Sequence, residues 1–160
     1  MGGVTFLSKL NNMDDSHFIF GSILVAANRM DTMLERALSK HDITAKQWFL
    51  SVVLDTLFEQ PPTIKELAKE MGSSHQNVKQ VALKLAQKGL LKLEKDTTDA
   101  RATRLTLTDE SQAFWAKTDQ EGMVFMRTIY KNIKKDELAV ARSVLEKMLA
   151  NLSELEDDNG

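Results

Sequence analysis

The chain has 160 residues, 42% hydrophobic and 28% charged, with a net charge of −2, the composition of an ordinary globular protein long enough for one compact unit with a real core. It contains no cysteine, which excludes disulfides, thiolate metal sites, cysteine nucleophiles and cysteine redox sensors, and fits a reducing cytoplasm. The longest nearly apolar run, Phe18 to Ala27, is about half the roughly 20 residues of a membrane span; no basic leader precedes it to make a secretion signal, and Phe6 stands where a myristoylation motif wants a hydroxyl.

The first predicted helix runs from about Asp15 to Lys40, where Ile19, Ile23, Ala27, Met30, Leu34 and Leu38 recur at helical spacing. Thr44-Ala45-Lys46-Gln47 is a capping box, in which the hydroxyl takes an orphan backbone N–H and the residue three positions on returns the bond. It opens a second helix from Thr44 to about Glu59, stopped by Pro61-Pro62. Thr63-Ile64-Lys65-Glu66 is a second box and opens a short helix, Ile64 to Met71, ending at Gly72. Ser73-Ser74-His75-Gln76 reads as a third, opening a helix from Ser74 to Lys88 that ends at Gly89.

The period then changes. Leu91, Leu93, Leu105 and Leu107 alternate with Lys92, Glu94, Thr106 and Thr108, as in two strands with one buried face. Between them lies a polar loop, Lys95 to Thr103, too long for a tight turn. From Asp109 to about Leu155 the helical period returns as two helices, the first announced by Thr108-Asp109-Glu110 with acids in its first turn.

This order of elements predicts a mainly α fold with a small β-hairpin wing: a winged helix-turn-helix at 44–108, flanked by helical dimerisation regions at 1–43 and 109–160, in one compact domain overall. The apolar residues Phe18, Phe20 and Val25, with the stripes after Phe114, exceed what one small winged helix can cover and predict a homodimer.

Charge is unevenly spread. Between Gly72 and Arg104 seven basic residues face three acids, a surplus of four on a chain that is otherwise acidic. Such a stretch is the footprint expected of a phosphate-binding surface, although a solvated helix and hairpin would look similar. The second helix of a helix-turn-helix enters the major groove. On that helix Val78, Val81, Ala82 and Leu85 share the inward face, leaving Gln76, Gln80, Leu83 and Gln87 opposite. Gln76 and Gln80 have the donor and acceptor needed to pair with adenine, while Lys79 and Lys84 suit phosphates or guanine edges. The helix start, Ser73, Ser74, His75, Gln76 and Asn77, offers backbone N–H groups to phosphate.

Four segments together resemble the multiple-antibiotic-resistance regulator (MarR) family. Ile43-Thr44-x-x-Gln47-Trp48 resembles the entry to its second helix, and Thr63-Ile64-Lys65-Glu66-Leu67-Ala68 the opening of its helix-turn-helix. Lys84-Leu85-x-x-Lys88-Gly89-Leu90-Leu91 resembles the exit of its recognition helix. Asp99-Ala100-Arg101 followed by Leu105-Thr106-Leu107-Thr108 resembles its wing. The resemblance implies a homodimer knitted by its first and last two helices, reading a pseudo-palindromic operator in double-stranded DNA. It also implies a wing arginine in the minor groove. Family members often carry two arginines after the aspartate, but the first position here is Ala100. Arg101 is then the groove residue, with Asp99 orienting it or a neighbour through a salt bridge, and Arg104 is a further basic candidate. A repressor released by a small, often aromatic effector is also implied, for which Met30, Trp48 and Phe49 are candidate contacts; aromatics and Met at helical spacing equally suit a core.

An enzyme is not expected. His17, His41 and His75 fall on three different elements, and there is no glycine-rich phosphate loop, nucleophile elbow or HExxH spacing; no metal or cofactor is expected either. The alternative reading is a winged-helix module that binds protein and not DNA.

Overall fold

In the computed structural model of the chain, residues 13–158 are described. The first twelve residues of the region 1–43, including Phe6, and the last two of 109–160 lie outside them. The helices begin where capping chemistry permits. Helix α1, Asp15–Leu38, starts at Asp14, whose carboxylate accepts from the backbone N–H of His17 at 3.0 Å. Its expected last turn tightens into a 3₁₀ turn, Ser39–His41, and Asp42 takes a left-handed φ of 54° that ends the run. Helix α2, Ala45–Leu57, starts at a complete box: Thr44 Oγ1 accepts from Gln47 N and Gln47 Oε1 from Thr44 N, both at 3.1 Å. Glu35 of α1 reaches the same helix end and accepts from Ala45 N at 2.6 Å.

Helix α3, Ile64–Glu70, opens on the Thr63/Glu66 box. It closes in a Schellman motif: Gly72 N donates to Lys69 O and Ser73 N to Ala68 O, with Gly72 at φ 56°. That closure corrects one expectation. Ser73 is taken up as the residue that ends α3, so the cap of α4, His75–Gln87, moves one place to Ser74, whose hydroxyl accepts from Asn77 N at 3.2 Å. Gln76 therefore has no part in a capping box. Helix α4 closes in the same manner, Gly89 N donating to Ala86 O and Leu90 N to Leu85 O, with Gly89 at φ 74°.

Strands β1, Leu91–Lys95, and β2, Thr103–Leu107, pair antiparallel with Leu91 opposite Leu107 and Lys95 opposite Thr103. The hairpin is stitched to the linker before α3: Leu105 N donates to Pro62 O at 3.0 Å, beside a bridge between Thr63 and Arg104. Leu50 of α2, Leu67 of α3, Val78, Ala82 and Leu85 of α4 and Leu105 of β2 are almost fully buried. Each such Leu or Val contributes roughly 1.5–3 kcal/mol of burial free energy. They fasten α4 by its inward face and leave its other face free.

The chain divides into two compact units, Met1–Glu121 and Gly122–Gly160, with the break inside helix α5, Asp109–Ile129. The second unit holds the end of α5, a turn with Asn132 at φ 65°, and helix α6, Lys135–Asp158. None of the α6 side chains described is buried, and Val140, Leu149 and Leu152 are open. Among the described residues, no helix is long and apolar enough to cross a membrane, and no group of three or more His, Asp and Glu residues could hold a metal ion.

Candidate nucleic-acid interface

Helix α4 presents the expected surface. Its N-cap is Ser74, and His75, Gln76, Asn77, Lys79, Gln80, Lys84 and Gln87 are exposed beyond the buried Val78–Ala82–Leu85 seam. Leu83 stands among them, 44% exposed. The free backbone donors at the helix start are fewer than the sequence suggests. Ser73 N is engaged by Ala68 O and Asn77 N by Ser74 Oγ, which leaves the N–H groups of Ser74, His75 and Gln76 for an outside acceptor.

Three of the seven basic residues in this stretch are engaged by the protein itself. Lys88 donates to Asp42, reaching Oδ2 at 2.9 Å and also the backbone carbonyl. Lys92 meets Glu94 at 3.4 Å, and Arg104 pairs with Asp96. Lys79, Lys84, Lys95 and the Arg101 guanidinium have no protein partner among the described residues. The unpaired cations thus lie on α4 and on the wing.

The wing tip is a folded turn. Ala102 N donates to Asp99 O at 2.9 Å, and Asp99 Oδ1 accepts from Arg101 N at 2.9 Å. Aspartate at the first position of such a turn commonly takes the N–H two residues on. This departs from the expected salt bridge: Asp99 makes no ion pair among the described residues and shapes the backbone under Arg101 instead of holding its guanidinium.

The ion pair belongs to Asp96, one of the three acids within the basic stretch. Asp96 is 8% exposed. Its Oδ1 accepts from Thr98 Oγ1 at 2.6 Å, Thr98 N at 2.7 Å and Asp99 N at 2.9 Å, and its Oδ2 accepts from Arg104 Nε. The Thr98 hydroxyl, then the backbone N–H groups of Asp99 and Thr98, then Arg104 hold its carboxyl far below the usual carboxylate range. Arg104 also donates through Nη1 to Pro61 O at 2.6 Å. The Asp96-Thr97-Thr98-Asp99 run carries the signal of a side-chain-capped turn, whereas Pro61, 43 positions from Arg104, gives none.

Of the three candidate effector contacts, Trp48 is half-buried while Met30 and Phe49 are exposed. A cleft of about 190 Å³ lies elsewhere, between the end of α2 and β2, against Leu54, Phe58, Pro61, Pro62 and Leu105.

A MarR family model matches residues 51–102. Among solved structures the fold is similar to apo wild-type MarR from E. coli, at 25% identity over 79% of this chain and 93% of that one, with a TM-score of 0.63. It is also similar to a MarR protein from Peptoclostridium difficile, at 20% identity over 95% of both chains, with a TM-score of 0.75. A third likeness is to a mutant E. coli MarR complexed with operator DNA, at 23% identity over 87% of this chain and 99% of that one, with a TM-score of 0.70.

Proposed function

We propose that the chain, which a MarR family model matches over residues 51–102 and whose fold is similar to that of MarR from E. coli, is a transcriptional regulator of that kind: it binds double-stranded DNA as a homodimer at a pseudo-palindromic operator and represses transcription until a small effector releases it. The observation that carries the proposal is the pairing of an exposed Gln/Lys face on α4 with an unpaired Arg101 at the tip of a structured wing. Gln76 and Gln80 are the base readers, and Lys79 and Lys84 the phosphate or guanine contacts. The Ser74, His75 and Gln76 amides, with Ser73 and Asn77 around them, form the helix-end phosphate site. Arg101 enters the minor groove, where a narrow groove attracts a guanidinium, and Asp99 sets its backbone. The region 44–108 contacts DNA, and 1–43 with 109–160 supply dimer contacts. Such a protein acts in the cytoplasm, where the DNA is. The operator-bound E. coli structure, a protein of similar fold, supports this use of the fold.

Twofold symmetry would place the two α4 helices in successive major grooves, ~34–36 Å apart. The test is selection of bound duplexes from a random pool, followed by gel shift over a range of salt. The expected result is a symmetric site whose binding weakens steeply with salt, by about 0.9 in the log–log slope for each phosphate contact. Retention of no duplex at low salt would leave a protein-binding winged helix as the better reading.

A further inference from the structure

We propose that Asp96 and Arg104 are positioning residues of the wing, a strut that fixes the angle at which the tip, and with it Arg101, meets DNA. The inference rests on the DNA-binding function proposed above, and it gives Arg104 a role other than phosphate contact.

The two oxygens of Asp96 divide the work. Oδ1 gathers three donors from the loop itself, Thr98 N, Thr98 Oγ1 and Asp99 N. These bonds fold the tip into the turn that carries Arg101. Oδ2 faces the other way and takes Arg104 Nε. Arg104 sits on β2 and passes the connection on, through Nη1, to the carbonyl of Pro61. The neighbouring carbonyl, Pro62 O, takes Leu105 N. Both acceptors sit on proline, whose ring fixes φ and stiffens the linker, and Thr63 directly afterwards caps α3. The path from wing tip to helix-turn-helix therefore runs tip turn, Asp96, Arg104, Pro61, α3. The first three links are hydrogen bonds with an ionised partner, the stronger kind, and the last is the chain itself, Pro61-Pro62-Thr63. The Asp96 carboxylate is nearly buried, so it stays charged only while these partners surround it.

This division makes one substitution selective. Asp96→Asn retains an amide oxygen for the three loop donors but replaces Oδ2 with an NH₂ group that meets the guanidinium donor to donor. It severs the strut and leaves the tip turn. Arg104→Gln cuts the strut from the other side and leaves Asp96 with its loop bonds.

The experiment is a double-mutant cycle of each variant with Arg101→Ala, read as affinity for a duplex selected by the parent protein. If the strut acts through Arg101, each strut variant weakens binding about as far as Arg101→Ala does. Each double variant then binds within about twofold of the Arg101→Ala single, the margin within which independent sites normally add. The strut variants should also flatten the salt dependence as Arg101→Ala does, while the base preferences read by Gln76 and Gln80 persist. A merely structural role would change affinity by loss of folded protein and leave the salt slope alone. Losses that multiply in the double variants, or strut variants that bind like the parent, overturn the inference. A parent protein that retains no duplex overturns the DNA-binding reading itself, a distinct result.

Discussion

His41 Nε2 lies 2.8 Å from Glu121 Oε2 across 80 positions of sequence, and Lys40 closes on the other oxygen of the same carboxylate. One acid on α5 thus answers both basic side chains in the turn that ends α1. Phe114, one helical stretch earlier, meets the His41 ring edge-on with centroids 6.4 Å apart.

Lys40 first, and then His41, hold the Glu121 carboxyl below its ordinary value of 4.5. A carboxyl that is lowered in the folded state stabilises the fold fully above its ordinary value, and that contribution is lost as pH falls through the lowered one. Glu121→Gln should therefore melt below the parent at neutral pH, and the gap should close on acidification below about pH 4.5. Thermal melting followed by circular dichroism across this range checks it; a constant gap would mean that the carboxylate charge is irrelevant.

Gln76→Ala and Gln80→Ala should each weaken operator binding by about 1–3 kcal/mol and relax base preference at one position per half-site. Lys79→Ala should weaken binding to all duplexes alike and reduce the salt slope. Binding-site selection with each variant separates the two effects. Unchanged preference in both glutamine variants would place the reading face elsewhere.

Gly72 sits at φ 56° with open space where a Cβ would stand, so the cost of adding one is backbone strain alone. Gly72→Ala should destabilise the protein by about 1–2 kcal/mol, and Gly72→Asn by less, because asparagine tolerates the left-handed region better. Urea denaturation of the three proteins tests the order. Equal stability of the alanine variant would show that the turn relaxes without loss.

Phe20 on α1 is 62% exposed and, separately, Val140 on α6 is 66% exposed; open apolar side chains of this size are what the proposed dimer would cover. Sedimentation at micromolar concentration should give a dimer, and Phe20→Glu should shift it toward monomer. A parent protein that sediments as a monomer would remove the dimer from the proposed function.

The order of elements was legible because each boundary rests on local chemistry. The Thr44 and Thr63 boxes and the glycines at 72 and 89 each act within a few residues, and the leucine alternation marks the hairpin without reference to the rest of the chain. The cap of α4 slipped by one because two serines compete for the role. What decides between them is the demand of the preceding helix for Ser73 N, which sequence spacing does not display. The exposed face of α4 followed from its periodicity. The roles of Asp96, Asp99 and Arg104 did not, because any of the wing acids could face any of its cations until the tip turn and the Pro61 carbonyl are in place. The Glu121 pairing was illegible for the same reason, since nothing near Glu121 in sequence points to His41.

The two Schellman closures bracket α4 with the same stop at either side, Gly72 before Ser74 and Gly89 after Gln87. A helix held at both ends cannot gain or lose a residue by sliding. One inserted residue would turn everything beyond it by about 100°, bringing glutamine or lysine into the seam now filled by Val78, Ala82 and Leu85. Side chains on the open face of α4 can therefore be exchanged without disturbing the seam, whereas a change of length within α4 disrupts it.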